Sequence, residues 1–214
     1  MRFLDRRDAG IQLGDVLIER GISADLVIGL PRGGGIVACE IAQKLGIPLD
    51  WIAVRKIGHP DQPEAAIGAV TEDGAATVSE RWASELPLDW LEEVTTRQND
   101  LARTMRSRID PSGYPLDVQG KSVIVVDDGI ATGHTMLAAL AALRKHEPRR
   151  LTVAVPVGHP ATLDRLLHEA DEVVCLHSPN DLGAVGAYYE DFRQVQDEEV
   201  RKSLESVRSS RRAP

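Results

Sequence analysis

The stretch Val123-Ile124-Val125-Val126-Asp127-Asp128-Gly129-Ile130-Ala131-Thr132-Gly133-His134-Thr135-Met136 decides the fold of this chain. Its first four residues are β-branched and apolar, which is typical of a strand buried on both faces of a parallel sheet. Two carboxylates follow at the carboxyl end of this strand. After a short turn, residues 136–143 form a helical run rich in alanine and leucine, whose first turn offers free N–H groups and a positive dipole end. The stretch therefore predicts a site for a ligand with both a phosphate and neighbouring hydroxyl groups.

Similar strand, loop and helix units lie on both sides of this stretch. Upstream, a strand at residues 26–30 leads into Pro31-Arg32-Gly33-Gly34-Gly35 and a helix at residues 36–45. Downstream, the strands at residues 151–155 and 172–176 enclose a helix at residues 161–170. This alternation predicts an α/β fold with a doubly wound, mostly parallel sheet flanked by helices. Ligands bind at the carboxyl ends of such strands, so the glycine-rich loop and the acid pair should meet there.

The remaining segments predict a hairpin and several helices. A strand at residues 49–54 ends in Arg55-Lys56, and a segment rich in glycine, proline and aspartate follows at residues 57–64. A hairpin is then expected, with strands at 65–70 and 75–78 and its turn at 72–74. Apolar spacing further predicts helices at residues 5–20, 88–109 and 197–206.

Composition limits the class of protein. The chain has 214 residues, of which 43% are hydrophobic, and no shift in composition divides them, so we expect one domain over residues 1–214. A formal net charge of -8 disfavours binding to nucleic acid. Cys39 and Cys175 lie in apolar segments without metal-ligand spacing, which indicates free thiols in a reducing compartment. We expect neither a membrane span nor a signal peptide. We therefore expect a cytoplasmic location.

The stretch at residues 123–136 resembles the phosphoribosyl pyrophosphate (PRPP) signature of the type I phosphoribosyltransferases, closest to adenine-type and uncharacterised bacterial members. The likeness extends more loosely over residues 24–180. One departure is Gly129, where the family more often has an aliphatic residue. The resemblance implies an enzyme that transfers ribose 5-phosphate from PRPP to a nitrogenous acceptor, with Mg²⁺ as cofactor and pyrophosphate as the leaving group.

The same resemblance implies a role for each loop residue. Asp127 and Asp128 would accept from the ribose hydroxyls, directly or through water on Mg²⁺, and stabilise the cation that develops at C1. One alternative is that the two acids only cap the next helix. The 5-phosphate loop would comprise Ala131, Thr132, Gly133, His134 and Thr135. Pyrophosphate would be bound by Arg32, Gly33, Gly34, Arg55 and Lys56, although Arg55 and Lys56 also suit a solvated strand end.

The resemblance also implies a small hood, formed by residues 1–23 and 177–206, that receives the acceptor. In the resembled family a mobile loop at the place of residues 57–64 closes over the reacting centre. Glu64 on this loop could deprotonate the acceptor, and Tyr188 and Tyr189 could stack on a base, but solvation and packing are the competing interpretations. In 6-oxopurine enzymes an aspartate matches Ala131, so hypoxanthine and guanine are disfavoured as acceptors. His59 and His177 have no assigned role.

Two other functions compete with the transferase. The first is a non-catalytic regulatory protein of the same fold that binds PRPP or a nucleotide. The second is a phosphoester hydrolase with Asp127 as nucleophile, but this needs a second acid two residues on, where Gly129 stands. The expected partners are PRPP and a small nitrogenous acceptor, and a homodimer is among the options.

Overall fold

The computed structural model describes residues 2–63, 65–110 and 117–210, without the side chains of Glu80 and Ser210. The strands are β1 (Leu26–Gly29), β2 (Leu49–Trp51), β3 (Val54–Gly58), β4 (Ala66–Thr71), β5 (Ala76–Val78), β6 (Ser122–Val126), β7 (Arg150–Val157) and β8 (Glu172–His177). The helices are α1 (Arg6–Glu19), α2 (Gly33–Leu45), α3 (Glu80–Glu85), α4 (Leu88–Ile109), α5 (His134–Arg144), α6 (Pro160–Leu166) and α7 (Asp197–Ser210), and a 3₁₀ turn spans Val185–Tyr188.

The main sheet has five parallel strands in the order β2-β1-β6-β7-β8. The central strand β6 is buried at every position, as its run of β-branched residues predicts. Val27 of β1 pairs with Ile124 of β6, and this register places the loops after both strands at the same sheet edge. The predicted fold class, an α/β fold with a doubly wound parallel sheet, is confirmed.

Helices cover both faces of the main sheet. One face packs against α2 and α7, and its core includes Ile41 and Leu204 together with Ile124. The other face packs against α5 and α6, with Leu140 and Leu166 in its core. The N-terminal helix α1 lies outside α2, where Gly10 and Gly14 permit close contact with α2 side chains.

A second, antiparallel sheet has the strand order β3-β4-β5 and packs against α4 and α5. The predicted hairpin is confirmed as β4 and β5. The prediction of one strand over residues 49–54 is wrong, because the chain leaves the main sheet after Trp51 and enters β3 at Val54. Arg55 and Lys56 therefore lie within a strand, and β3 extends to Gly58, into the segment rich in glycine, proline and aspartate.

The N-terminal and C-terminal segments meet beside the carboxyl edge of the main sheet. Phe3 bridges to Tyr189, and both side chains are buried together with Ala9. Within the described part of the chain, no helix combines the length and the apolar character that a membrane span requires.

Candidate active site

The acid pair lies against the N-terminus of α2. Asp127 and Asp128 directly follow β6, and the loop after β1 reaches them from the neighbouring strand. A Cβ on Gly33 would overlap Oδ2 of Asp128, and one on Gly34 would lie 2.7 Å from Cα of Asp127. Only glycine fits at these two positions without displacing the acids. The expected meeting of the glycine-rich loop with the acid pair is thus present in the fold.

Gly33 to Gly35 form the first turn of α2, three residues earlier than the helix start at Ile36 that the sequence suggested. Arg32 is the N-cap residue, and its side chain makes no capping hydrogen bond. The peptide bond between Pro31 and Arg32 is cis. The Gly35 N–H donates to the Arg32 carbonyl at 3.2 Å, whereas the N–H groups of Gly33 and Gly34 begin the helix next to Arg32 and make the end of α2 a suitable place for an anion.

Arg6 of α1 also enters the site. Its Nε donates to Oδ2 of Asp128 at 2.7 Å, and its Nη1 donates to the carbonyl of Arg193 at 3.0 Å. The guanidinium carbon lies 3.9 Å from the centroid of the Phe192 ring. Only about a tenth of the Arg6 side chain and 16% of the Asp128 side chain are exposed, so this ion pair is largely shielded from water.

Burial and mutual repulsion change the acidity of the two carboxyls. Burial raises the pKa of Asp127 well above its usual range, and the nearby charge of Asp128 raises it further. Burial also raises the pKa of Asp128, but the guanidinium of Arg6 opposes this shift. Oδ1 of Asp127 accepts from the Asp128 backbone N–H at 2.8 Å. The ionised form is therefore better supported at Asp128 than at Asp127.

The predicted 5-phosphate loop lies beside the same acids. A cavity of about 180 Å³ is lined by Asp127 and by residues 129–136, with Val185 on its far side. Gly133 has a φ of 76° and is the N-cap of α5, so the N–H groups of the first turn of that helix line the cavity. The Thr162 hydroxyl donates to the carbonyl of Ala131 at 2.7 Å and holds the loop in place. Burial and the charge of Arg165 lower the pKa of His134, which favours its neutral form.

Arg32, the predicted pyrophosphate ligand, is held by the C-terminal helix. Its Nε lies 2.7 Å from Oδ1 of Asp197, the first residue of α7. The side chain of Arg32 is 38% exposed and that of Asp197 is 26% exposed. An anionic ligand at the start of α2 would compete with Asp197 for the same guanidinium.

The other residues predicted to bind substrate do not lie at the edge of the main sheet or lie outside the described residues. Arg55 and Lys56 are exposed on β3 of the second sheet, where Arg55 donates to Gln98 at 3.4 Å, so they are not part of the main-sheet edge. Their role in pyrophosphate binding stays a prediction. Glu64, the predicted acceptor-side acid, lies outside the described residues.

The two tyrosines take different positions. Tyr189 is buried, its hydroxyl donates to the carbonyl of Asp128 at 2.6 Å, and its ring packs 5.4 Å from Phe3 and 5.0 Å from Phe192. These contacts support the packing interpretation of Tyr189 over stacking on a base. Tyr188 is partly exposed, with its ring 5.4 Å from that of His177. His59 packs instead on Trp82 of α3, at 4.6 Å between ring centroids.

The donor set at the acid pair suits Mg²⁺. Two carboxylates at a strand end supply hard oxygen ligands, and Mg²⁺ commonly binds to one or two carboxylates while ligand oxygens and water complete its coordination. Within the described ranges, no cluster of three or more His, Cys, Asp and Glu residues could hold a metal on its own. Asp127 and Asp128 would therefore hold the ion together with a bound phosphate ligand.

Sequence reasoning missed Arg6 and Asp197. Arg6 carried one available signal, because it lies on the α1 face that also presents the buried residues Ala9, Leu13 and Leu17. A charge on the apolar face of a helix needs a buried partner. The pairing of Asp197 with Arg32 left no such signal, since α7 meets α2 only through the tertiary fold.

The five-stranded parallel sheet, with helices on both faces and ligand loops at its carboxyl edge, is the type I phosphoribosyltransferase fold. The chain belongs to the phosphoribosyl transferase domain family, whose model matches residues 13–191.

One solved structure and two related proteins are similar to this chain over most of its length. The crystal structure of TT1426 from Thermus thermophilus superposes with a TM-score of 0.84 at 45% identity, covering 95% of this chain and 98% of that one. A Mycobacterium tuberculosis protein provisionally named a phosphoribosyl transferase is 40% identical over 200 residues, or 92% of this chain and 45% of that protein. The bifunctional protein PyrR of Leifsonia xyli is 30% identical over 144 residues, 66% of this chain and 63% of its own length. The chain thus spans less than half of the M. tuberculosis protein.

Proposed function

We propose that this protein transfers ribose 5-phosphate from PRPP to a small nitrogenous acceptor and releases pyrophosphate. The observation that carries the proposal is the meeting of two helix N-termini, those of α2 and α5, on either side of Asp127 and Asp128. PRPP has a phosphate at each end of a ribose with two neighbouring hydroxyls. The two helix ends match the phosphates, and the acids between them match the hydroxyls.

The residues of this chain have distinct roles in the proposed reaction. The 5-phosphate is bound by the N–H groups and hydroxyls of residues 131–135, and the pyrophosphate by Arg32 and the N–H groups of Gly33 and Gly34. The bond from C1 to the pyrophosphate oxygen breaks as a bond from the acceptor nitrogen to C1 forms, and the acceptor nitrogen loses its proton. Positive charge develops at C1 in the transition state, where the carboxylate of Asp128 stabilises it.

Arg6 keeps that carboxylate in place. Because Arg6 holds Oδ2 and Tyr189 holds the backbone carbonyl of the same residue, Asp128 is positioned before substrate binds. When bound, Mg²⁺ would supply positive charge to neutralise the pyrophosphate that leaves. Asp127 and Asp128 would hold the ion.

The acceptor is expected on the side of the terminal segments. Tyr189 donates to the Asp128 carbonyl there, and Arg6, which pairs with Asp128, stacks on Phe192. Ala131 has no carboxylate to face a purine N7, so acceptors of the 6-oxopurine class are expected to react poorly. Glu64 stays a candidate for the group that takes the acceptor proton.

Pyrophosphate release tests this proposal. The full chain is incubated with PRPP and Mg²⁺ and with purines, pyrimidines or metabolite amines in turn, and we expect release that depends on one class of acceptor. Asp128→Asn should lower the turnover number at least about tenfold, because the carboxylate acts mainly in the transition state, while PRPP affinity changes less. The buffer contains no phosphate, because free phosphate would compete with PRPP at the N-termini of α2 and α5.

The control variant is Asp171→Asn, an acid at the opposite end of the sheet that contacts Arg144, and its turnover should match wild type. PRPP binding without release for any acceptor would favour the regulatory alternative. Absence of PRPP binding would contradict both.

A further inference from the structure

The C-terminal segment fills the space beside Gly129, the residue that follows the acid pair. A Cβ at this position would lie 2.4 Å from Cγ1 of Val185 and 2.9 Å from Cγ1 of Val157. Carbon atoms in ordinary contact are about 3.5–4.0 Å apart, so Val185 occupies the room that any larger residue at position 129 would need. Val185 therefore stands directly on the backbone between the acids and the predicted 5-phosphate loop.

Val185 is also a wall of the cavity at that loop. The cavity of about 180 Å³ is lined by Asp127 and residues 129–136, and Val185 is the lining residue that comes from a distant part of the described chain. It begins the 3₁₀ turn Val185–Tyr188, which belongs to the segment expected to cover the acceptor. This aliphatic side chain is thus the point at which the C-terminal segment borders the cavity.

Backbone hydrogen bonding and close packing hold this turn in place. The carbonyl of Tyr188 accepts from the N–H of Phe3 at 2.8 Å. A Cβ on Gly186 would lie 2.7 Å from Cδ1 of Phe192, so the turn rests closely on that ring. Val185 cannot move outward without disturbing these contacts, which makes it a fixed wall of the cavity.

We propose that Val185 is a specificity-determining residue that restricts the acceptor to a single ring or a smaller amine. This inference rests on the proposed transfer of ribose 5-phosphate, which places the ribose between the 5-phosphate loop and Asp128. The cavity of about 180 Å³ is smaller than the pockets of about 300–1,000 Å³ that enclose drug-sized ligands, so the sugar phosphate takes up most of it. A base on C1 then extends past Val185, where a second fused ring would meet the fixed side chain.

The restriction is steric, so it applies to every fused two-ring base and not to 6-oxopurines alone. Val185→Ala removes two methyl groups from the wall and makes room for the second ring. A change of one methylene in an apolar pocket alters selectivity by about tenfold to 200-fold, which sets the expected size of the effect. If Val185 served only to pack the turn, the same variant would lower stability and leave the preference among ligands unchanged.

Calorimetric titration with ribose 5-phosphate, cytidine 5′-monophosphate (CMP) and adenosine 5′-monophosphate (AMP) tests the proposal. AMP carries no 6-oxo group, so Ala131 has no bearing on the comparison. Wild type should bind CMP at least about tenfold more tightly than AMP, and Val185→Ala should raise AMP affinity by at least about tenfold. The affinity of ribose 5-phosphate, which has no base, should hardly change.

Val173→Ala is the matched control for this titration. Val173 is a partly buried valine near the amino end of β8, at the opposite edge of the main sheet, and the variant loses the same two methyl groups. Its affinities for all three ligands should equal those of wild type. A shift in AMP affinity that this control shared would come from general loosening of the fold and would count against the proposal.

Thermal unfolding tests the contact without any ligand. Gly129→Ala should lower the melting temperature, because its methyl group would overlap Val185. Val185→Ala in the same chain should recover much of that loss, whereas Val173→Ala should add its own loss to it. A Gly129→Ala chain that fails to fold, but folds once Val185→Ala is added, gives the same support.

The outcomes separate this inference from the proposed function. If wild type binds AMP as tightly as CMP, or if Val185→Ala leaves the ratio of the two affinities unchanged, Val185 does not select by size, while binding of ribose 5-phosphate still supports the proposed transfer. Additive losses for Gly129→Ala and Val185→Ala would show that the two positions are independent and would likewise overturn the inference. If wild type does not bind ribose 5-phosphate, the proposed function fails and this inference fails with it.

Discussion

Nε of Arg6 lies 2.7 Å from Oδ2 of Asp128, so the first helix of the chain is tied directly to the acid pair that ends the central strand. The two residues are 122 positions apart in the sequence. Through this pair the terminal segments, which pack on each other at Phe3 and Tyr189, become part of the candidate site rather than a separate layer above it. Disturbing either partner should therefore affect both stability and function.

The first prediction concerns this ion pair. Arg6→Gln should lower the free energy of unfolding by about 3 kcal/mol, because it leaves the partly buried Asp128 carboxylate without its counter-charge. Asp128→Asn in the same chain should recover part of that loss, since the unpaired charge is then removed. Urea unfolding of both single variants and the double variant measures the coupling. Losses that add to within about 0.5 kcal/mol would show that the two residues are energetically independent.

The second prediction concerns the close approach at Gly34. Gly34→Ala should destabilise the protein by about 1–3 kcal/mol, because the new methyl group would lie 2.7 Å from the Val126 carbonyl and from Cα of Asp127, which are backbone atoms that cannot turn aside. PRPP affinity should fall as well. Gly183→Ala is the control, since no described atom beyond its own chain neighbours lies within 4 Å of the added Cβ. Equal melting temperatures for the two variants would contradict the geometry of the loop.

The third prediction concerns the pH dependence of stability. Burial raises the pKa of Glu72 to about 7 from an ordinary value of 4.5, and its Oε2 has no hydrogen-bond partner among the described residues. The folded state therefore keeps a proton that the unfolded state releases, and stability falls as the pH rises from about 4.5 to about 7. By the rule of 1.36 kcal/mol per pH unit, the loss is about 3 kcal/mol.

Glu72→Gln should remove this pH dependence, because glutamine does not titrate. Chemical unfolding of wild type and variant at pH 5, 6, 7 and 8 gives the comparison, and the difference between them should be largest above pH 7. Parallel curves for the two proteins would mean that Glu72 titrates normally in the folded state.

The sequence predicted the parallel sheet well because its strands carry unmistakable local signals. The four β-branched residues of β6 specify the strand, and the sequence itself places two acids at its end, without any knowledge of the rest of the chain. The helix predicted at residues 88–109 matches α4 at both ends. Its two signals, the apolar spacing and the proline before it, are also local features of the sequence.

Other parts of the site depend on tertiary packing. Nothing local breaks the strand after Trp51, and the break arises because β3 finds an antiparallel partner in β4. The pairing of Asp197 with Arg32 likewise depends on how α7 docks on α2. The presence of glycine at position 129 also has a tertiary explanation, since a Cβ there would overlap Val185 of the C-terminal segment.

The fourth prediction concerns Asp197, which pairs with the guanidinium of Arg32. Asp197→Asn should tighten PRPP binding about twofold to fivefold, because a partly exposed ion pair of this kind contributes up to about 1 kcal/mol that pyrophosphate must otherwise replace. Calorimetric titration measures the change. Weaker binding by the variant would instead make Asp197 a residue that positions Arg32 for its ligand.

Titration of Arg32→Ala with PRPP and with ribose 5-phosphate tests the central claim most directly. A guanidinium forms charge-assisted hydrogen bonds to phosphate oxygens worth about 1.5–3 kcal/mol each, so PRPP affinity should fall about tenfold to a hundredfold. Ribose 5-phosphate lacks the pyrophosphate, and its affinity should stay at the wild-type value. A wild-type protein that binds neither ligand, or a variant that loses both equally, would contradict the assignment of the two helix ends to the two phosphates of PRPP.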